Sequence, residues 1–249
     1  MEPALTAKTV LRCFFRSYMA MAAFNVRGLQ NVGLVYTLDP GLVAIHKDAR
    51  DLHEARGRYI RHYNCNPFWT PFLAGVYLHT ETAIAAGMAD PRLFGTIKDV
   101  TANTLSAIGD SVFSGSFMIA WALAATLCVA LNEPVLALAL TLILFVALQA
   151  VKFGLYLAGL VHGLSALRFM RRWDIINWGD YIKVFNAFLV FLLTVNIMRP
   201  EQHPWCWFFG MTALSAAFLL VSRVHFPRII VVLVAFAAIK VFHPAVLCF

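Results

Sequence analysis

From Val112 onward, the sequence is a series of apolar stretches, each close in length to what is needed to cross a membrane. A transmembrane helix requires roughly 20 mainly apolar residues. Five stretches meet or approach this requirement, at 112–131, 134–157, 184–198, 205–222 and 229–247. The sequence therefore predicts an all-α membrane protein with about five transmembrane helices.

The composition supports this class and excludes others. Of the 249 residues, 61% are hydrophobic and only 13% are charged, whereas soluble domains are about 45–50% apolar and about 25% charged. The net charge of +7 indicates contact with anionic membrane lipid rather than with nucleic acid in so apolar a chain. The five cysteines include no CxxC pair, so neither a disulfide framework nor a zinc site is expected.

Basic residues are distributed unequally among the loops. Arg168, Arg171 and Arg172 lie between the second and third apolar stretches, and Arg223 and Arg228 lie between the fourth and fifth. The loops at 132–134 and 200–204 contain neither lysine nor arginine. Because basic loops face the cytoplasm, we expect a multi-pass protein with a cytoplasmic N-terminus and an external C-terminus.

Residues 1–103 are more polar and contain no stretch of membrane-spanning length. We therefore divide the chain into an N-terminal interfacial and cytoplasmic region, 1–103, and a transmembrane region, 104–249, within one membrane domain. Lys8, Arg12 and Arg16 recur at helical spacing opposite an aromatic face. This pattern predicts a helix in the membrane interface, with an ordinary amphipathic helix packed on protein as the alternative.

Three further segments of the polar region carry structural signals. Residues 37–41 have turn chemistry, and 47–64 predict a charged, water-exposed helix without a catalytic role. In 64–72, two prolines interrupt helical hydrogen bonding. Residues 72–87 are apolar but short for a full span, which predicts a half-membrane or re-entrant helix.

The sequence lacks the signatures of catalysis. It contains no nucleotide-binding glycine motif, no HExxH or other metal-ligand spacing, no serine elbow and no pair of carboxylates on one helix. His79 and Glu81 are two residues apart and so point to different helix faces. We therefore expect no catalytic residue, no cofactor and no metal site in this chain.

Amides and one carboxylate lie next to apolar segments, and these groups suit a ligand with many hydroxyls. The candidate binding residues are Asn25, Gln30, Asn64, Asn66, Asp110 and Ser111. A carboxylate at the edge of a span either lies outside the lipid or has a function. As alternatives, Asp110 is a helix N-cap that binds the amide of Val112 or Phe113, and Asn64 and Asn66 are turn residues.

Three ordered segments, 14–33, 61–81 and 97–116, resemble the IID component of the bacterial mannose/fructose/sorbose-family sugar phosphotransferase (PTS) permeases. The most specific match is IGDSVF at 108–113, and YNCNP at 63–67 supports it. The resemblance is good over roughly residues 8–120 and continues beyond them only as hydropathy. It departs from the family at Arg27-Gly28, where Glu-Arg is usual, and at Asn103-Thr104, where Gly-Pro is usual.

The resemblance implies a subunit of the bacterial cytoplasmic membrane that is not itself phosphorylated. With a IIC membrane subunit it would form the pathway for sugar uptake, coupled to phosphorylation by IIA and IIB phosphocarriers, in a trimer of IIC–IID pairs. It also implies re-entrant hairpins, with Asp110 at the tip of a broken helix. A divergent IID-like scaffold that binds a IIC-like protein without carrying sugar is the alternative function.

Overall fold

The computed structural model describes residues 5–171 and 174–198 and the single position 210. Within these residues the secondary structure is helical, apart from isolated bridges at Asn25–Leu29 and Leu29–Tyr63. A π-helix, Asp110–Phe117, joins two of the α-helices, and short 3₁₀ turns occur at Ser17–Met19 and Gly163–Ser165. The α-helices are α1 Ala7–Arg16, α2 Asn31–Ile45, α3 Ala49–Tyr59, α4 Thr70–Ala85, α5 Pro91–Gly109, α6 Met118–Ala130, α7 Pro134–His162, α8 Ala166–Arg171 and α9 Ile175–Met198.

Three helices in the described part of the chain are long and apolar enough to cross a membrane: Phe94–Ala130, Pro134–Arg168 and Asn177–Asn196. They confirm the first three predicted spans, while 205–222 and 229–247 lie outside the described residues. The helix that contains the first predicted span begins earlier, at Pro91. A helix of 37 residues is roughly 55 Å long and exceeds a hydrocarbon core of about 30 Å, so the start of the helix does not fix the start of the span.

The described residues form two compact units, one within 5–118 and 141–181 and the other within 119–140 and 182–198. In the first unit α4 lies in the core, and every residue from Thr70 to Leu78 is buried. In the second unit Leu189 and Leu193 of α9 are buried, whereas Phe188 is exposed. The predicted division at residue 103 separates a more polar region from a more apolar one rather than two compact units, and it stays a prediction.

The N-terminal helix α1 has features of both proposed readings. Phe14 is buried, and its ring lies 4.9 Å from the ring of Phe153 and 5.5 Å from that of Tyr156, so the helix packs on protein. Leu11 and Phe15 are exposed, at 42% and 64%, and remain available to lipid. The helix is thus confirmed, and its position in the membrane interface stays a prediction.

Residues 37–41 do not form the expected turn, because they lie inside α2. Pro40 has no N–H and therefore leaves the carbonyl of Tyr36, four residues earlier, without its helical donor. The Arg16 guanidinium donates to this carbonyl at 3.2 Å and lies 4.4 Å from the centroid of the Tyr36 ring. A side chain 20 residues away thus satisfies the carbonyl that the proline leaves without a donor. The helix continues through residues 37–41 for this reason, and the predicted turn was wrong.

The close packing of α4 against α7 depends on two glycines. A Cβ on Gly75 would lie 2.3 Å from the carbonyl oxygen of Tyr156, and a Cβ on Gly159 would lie 2.6 Å from that of Phe72. Small residues allow helix backbones to approach in this way. By contrast, a Cβ on Gly154 would meet no other helix within 4 Å in the part of the chain that the structure describes.

We expect Gly159→Ala to destabilise the fold by about 1–3 kcal/mol, the usual cost of overpacking. Its new methyl group meets the fixed backbone of α4, so the two helices must separate. Gly154→Ala, on the same helix, is the matched control and is expected to be neutral or slightly stabilising. Thermal unfolding in detergent measures both, and equal unfolding temperatures for the two variants would contradict the predicted helix contact.

Candidate functional site

Asp110 lies in a continuous helix, which corrects two of the expectations for it. It follows the last residue of α5, and its own N–H donates to the carbonyls of Ser106 and Ala107. It is therefore neither a helix N-cap nor the tip of a broken helix. The helix continues because the backbone widens into π turns, in which the N–H of Met118 donates to the carbonyl of Phe113. Such π turns within α-helices are frequent at functional sites.

The side chain of Asn66 connects the proline-containing segment to the π-helix. Its Nδ2 donates to Oδ1 of Asp110 at 2.7 Å and to Oγ of Ser114 at 3.0 Å. Its Oδ1 accepts from the N–H of Phe68 at 3.0 Å, and the residue is only 5% exposed. Asn66 therefore organises its own turn and also holds the Asp110 carboxylate, which is solvent-exposed.

Gly109 makes this contact possible. A Cβ at this position would lie 2.5 Å from Cβ of Asn66 and 2.8 Å from Cδ1 of Trp69, too close for any side chain. The Gly-Asp pair of the IGDSVF motif thus has a physical reason. The glycine lets Asn66 approach the helix, and the aspartate accepts its hydrogen bond.

Gln30 and Asn64 form a separate polar group. Nε2 of Gln30 donates to Oδ1 of Asn64 at 3.2 Å, and Oε1 of Gln30 accepts from the N–H of Cys65 at 3.2 Å. Gln30 is 3% exposed. Both groups of its amide are therefore used to attach the start of α2 to the segment before α4.

The other two candidates have local roles. Oδ1 of Asn25 accepts from the N–H groups of Arg27 and Gly28, and its Nδ2 donates to Oδ1 of Asn31 at 2.8 Å, so Asn25 organises a turn. Ser111 is exposed, and its carbonyl accepts from Oγ of Ser116 at 2.8 Å. Among the six predicted residues, two pairs of side chains are joined directly: Asn66 with Asp110, and Gln30 with Asn64.

Beside the Asn66–Asp110 pair lies an aromatic platform, whose residues were not among the predicted site residues. The rings of Phe68 and Phe113 are stacked, with centroids 3.5 Å apart, and the Trp69 ring meets Phe113 edge-on at 5.5 Å. Phe68 follows Asn66 by two residues and Phe113 follows Asp110 by three, which was the available signal. The buried indole Nε1 of Trp69 has no hydrogen-bond partner among the residues described here.

A second missed feature is the buried carboxylate of Glu81 on α4, which is fully inaccessible to solvent. Arg58 donates to it twice, at 2.9 and 2.6 Å, the Tyr59 hydroxyl donates at 2.9 Å, and Nε2 of His46 lies at 2.8 Å. Burial, followed by the charge of Glu81, raises the pKa of Tyr59 well above its usual value, so this hydroxyl stays protonated as a donor. The segment 47–64 does contain an exposed helix, as predicted, but Arg58 and Tyr59 on it turn inward.

The residues that the structure describes bring together no three metal-ligating His, Cys, Asp or Glu side chains. The absence of a cofactor and of catalytic residues stays a prediction. What the Asn66–Asp110 group offers chemically is a carboxylate acceptor, an adjacent hydroxyl on Ser114 and a stacked aromatic surface. This combination is suited to a polar, hydroxyl-rich ligand.

These features define a helical membrane protein with a polar site built on a proline-broken segment and a π-helix. The chain belongs to the mannose/fructose/sorbose family of PTS IID components, since the model of that family matches residues 4–208. The resemblance seen in the sequence is thereby confirmed, and the chain is a bacterial membrane protein.

One curated relative is the fructose permease IID component of Bacillus subtilis (strain 168), which is 26% identical over 164 residues. The match covers 65% of this chain and 58% of that protein, less than two thirds of its length.

Two solved structures share the fold. One is described only as a membrane protein and aligns with a TM-score of 0.69 at 19% identity. The other is a complex of the mannose transporter ManYZ with microcin E492 (MceA), and it aligns with a TM-score of 0.54 at 17% identity. Each alignment covers 97% of both chains.

Proposed function

We propose that this chain is the IID subunit of a sugar permease and forms, with a IIC membrane subunit, the pathway for sugar uptake coupled to phosphorylation. Its family membership supports this role, as does the similarity to a fructose permease component. IIA and IIB phosphocarriers supply the phosphoryl group, this chain carries none, and the complex is a trimer of IIC–IID pairs.

The observation that carries the proposal is the hydrogen bond between Asn66 and Asp110 beside the stacked Phe68–Phe113 rings. The Asp110 carboxylate accepts hydrogen bonds from sugar hydroxyls, and Ser114 and Ser111 offer hydroxyls of their own. An apolar sugar face packs on the ring of Phe113, which is partly exposed. Asn64, Gln30 and Asn25 hold the surrounding backbone in place.

The test is coexpression with a IIC-type subunit, copurification and measurement of sugar binding. We expect a stable complex that binds at least one of D-mannose, D-fructose and L-sorbose, and a chain that is poorly stable alone because its polar groups need a partner to shield them from lipid. A complex that forms but binds none of these sugars would instead support a non-transporting IID-like scaffold.

We also propose that the N-terminus is cytoplasmic, that the C-terminus is external and that residues 72–87 are re-entrant. Epitope tags in the loop at 132–134 are expected to be accessible only from outside the cell. Tags next to Arg171 are expected to be accessible only from the cytoplasm, because basic loops stay on that side. Labelling of the Arg171 tag in intact cells would contradict this orientation.

A further inference from the structure

An intramembrane lysine, Lys152 on α7, lies beside the proposed sugar site. It falls within the membrane-length helix Pro134–Arg168 and is half-buried. Its Nζ lies 5.2 Å from the ring centroid of Tyr18 and 5.7 Å from that of Phe68. In the described part of the chain the ammonium group has no hydrogen bond or ion pair, and its contacts are these two cation–π contacts. Ionisable groups inside membrane spans are costly and usually functional.

Lys152 lies ten residues before the end of α7 at His162. The rings of Tyr18 and Phe68 flank its ammonium group. One turn earlier, Gln149 accepts a hydrogen bond from the Tyr18 hydroxyl, which fixes this aromatic wall.

Phe68 connects Lys152 to the Asn66–Asp110 pair. Its backbone N–H donates to Asn66, its ring stacks on Phe113, and the same ring faces the ammonium group of Lys152. One anion and one cation thus lie next to a single aromatic platform without forming an ion pair with each other. A sugar hydroxyl both donates and accepts hydrogen bonds, so sugar hydroxyls are suited to both charges.

We infer that Lys152 is a further sugar-contacting residue, which donates from Nζ to a hydroxyl oxygen while Asp110 accepts from another hydroxyl. This inference rests on the proposed function of the site. Because the two charges cancel, the site favours neutral sugars over amino sugars and over sugar acids. Lys152 thereby sets specificity as well as affinity.

The experiment measures equilibrium sugar binding by the purified complex of this chain with its IIC partner. The probes are D-mannose, D-fructose and L-sorbose, followed by D-mannosamine and D-mannuronate as charged competitors. Lys152→Met keeps the apolar stem over the rings and removes the charge. Lys8→Met, at an exposed position of α1, is the matched control.

We expect Lys152→Met to weaken binding of the neutral sugar about tenfold, which corresponds to one charge-assisted hydrogen bond. We also expect it to shift the preference toward D-mannosamine, whereas Asp110→Asn shifts the preference toward D-mannuronate. Lys152→Arg is expected to retain the preference for neutral sugars, and Lys8→Met is expected to bind like the unmodified complex. A role of Lys152 in packing alone would not produce opposite preferences in these two variants.

Unchanged affinity and preference in an assembled Lys152→Met complex would overturn the inference and leave the proposed function intact. Loss of the complex itself in this variant would also overturn it, since Lys152 would then be required for assembly rather than for contact with sugar. A complex of unmodified chains that binds none of the three neutral sugars would refute the proposed function and this inference together.

Discussion

Replacement of Glu81 by alanine is expected to destabilise the first compact unit by about 3 kcal/mol, at the lower end of the range for breaking a buried ion pair. Glu81 accepts hydrogen bonds from α3, through Arg58 and Tyr59, and contacts His46 at the end of α2. Its removal leaves the Arg58 guanidinium without a counter-charge. The lower value applies because the Arg58 side chain is still 16% exposed and can partly hydrate.

The matched control is Glu54→Gln on the neighbouring helix α3. Glu54 pairs with Arg50 at 3.3 Å, but the two side chains are 57% and 86% exposed, so the change is expected to be below about 1 kcal/mol. Glu81→Gln keeps the shape and loses the charge, so an intermediate effect is expected. Thermal unfolding of the detergent-purified complex measures all three variants, and equal stabilities for Glu81→Ala and Glu54→Gln would refute the role assigned to Glu81.

Replacement of Asp110 by asparagine is expected to lower sugar uptake about tenfold or more, because a charge-assisted hydrogen bond to sugar becomes a neutral one of roughly half its strength. The protein is expected to remain in the membrane. Asparagine keeps an Oδ1 acceptor for the Nδ2 of Asn66, so the contact that joins the two segments survives. Uptake by cells that produce the complete permease, together with the yield of copurified IIC subunit, separates the two effects.

Asp51→Asn is the matched control, because Asp51 is exposed on α3 and its side chain forms no ion pair with the residues described. It is expected to leave uptake and complex yield unchanged. Normal uptake and normal complex yield for Asp110→Asn would show that the carboxylate serves only as an acceptor for Asn66. Asp110 would then no longer belong to the proposed sugar site.

The candidate site was partly predictable from the sequence. Asn66 and Asp110 were identified as isolated polar groups next to apolar segments, and the structure places their side chains 2.7 Å apart. The amide of Gln30 was identified in the same way, but its groups bind Asn64 and the backbone of Cys65. Residue type shows that a side chain can form hydrogen bonds, and it does not show which partner the side chain meets.

Length and composition by themselves determined that this chain is a helical membrane protein, because transfer of apolar residues into lipid depends on local sequence alone. The charge pattern of 47–64 determined the exposed helix α3. The prolines in 64–72 determined the break before α4, since proline removes a backbone donor wherever it occurs.

Only the tertiary structure decided that Pro40 lies inside a helix, that Asp110 lies in a π-helix and that Glu81 is a buried acceptor. In each case a distant residue provides or completes the bonding: Arg16 for the carbonyl freed by Pro40, Asn66 for Asp110, and Arg58 with His46 for Glu81. The energy of these hydrogen bonds depends on burial and on packing across 20 to 44 residues of chain, which no local pattern contains.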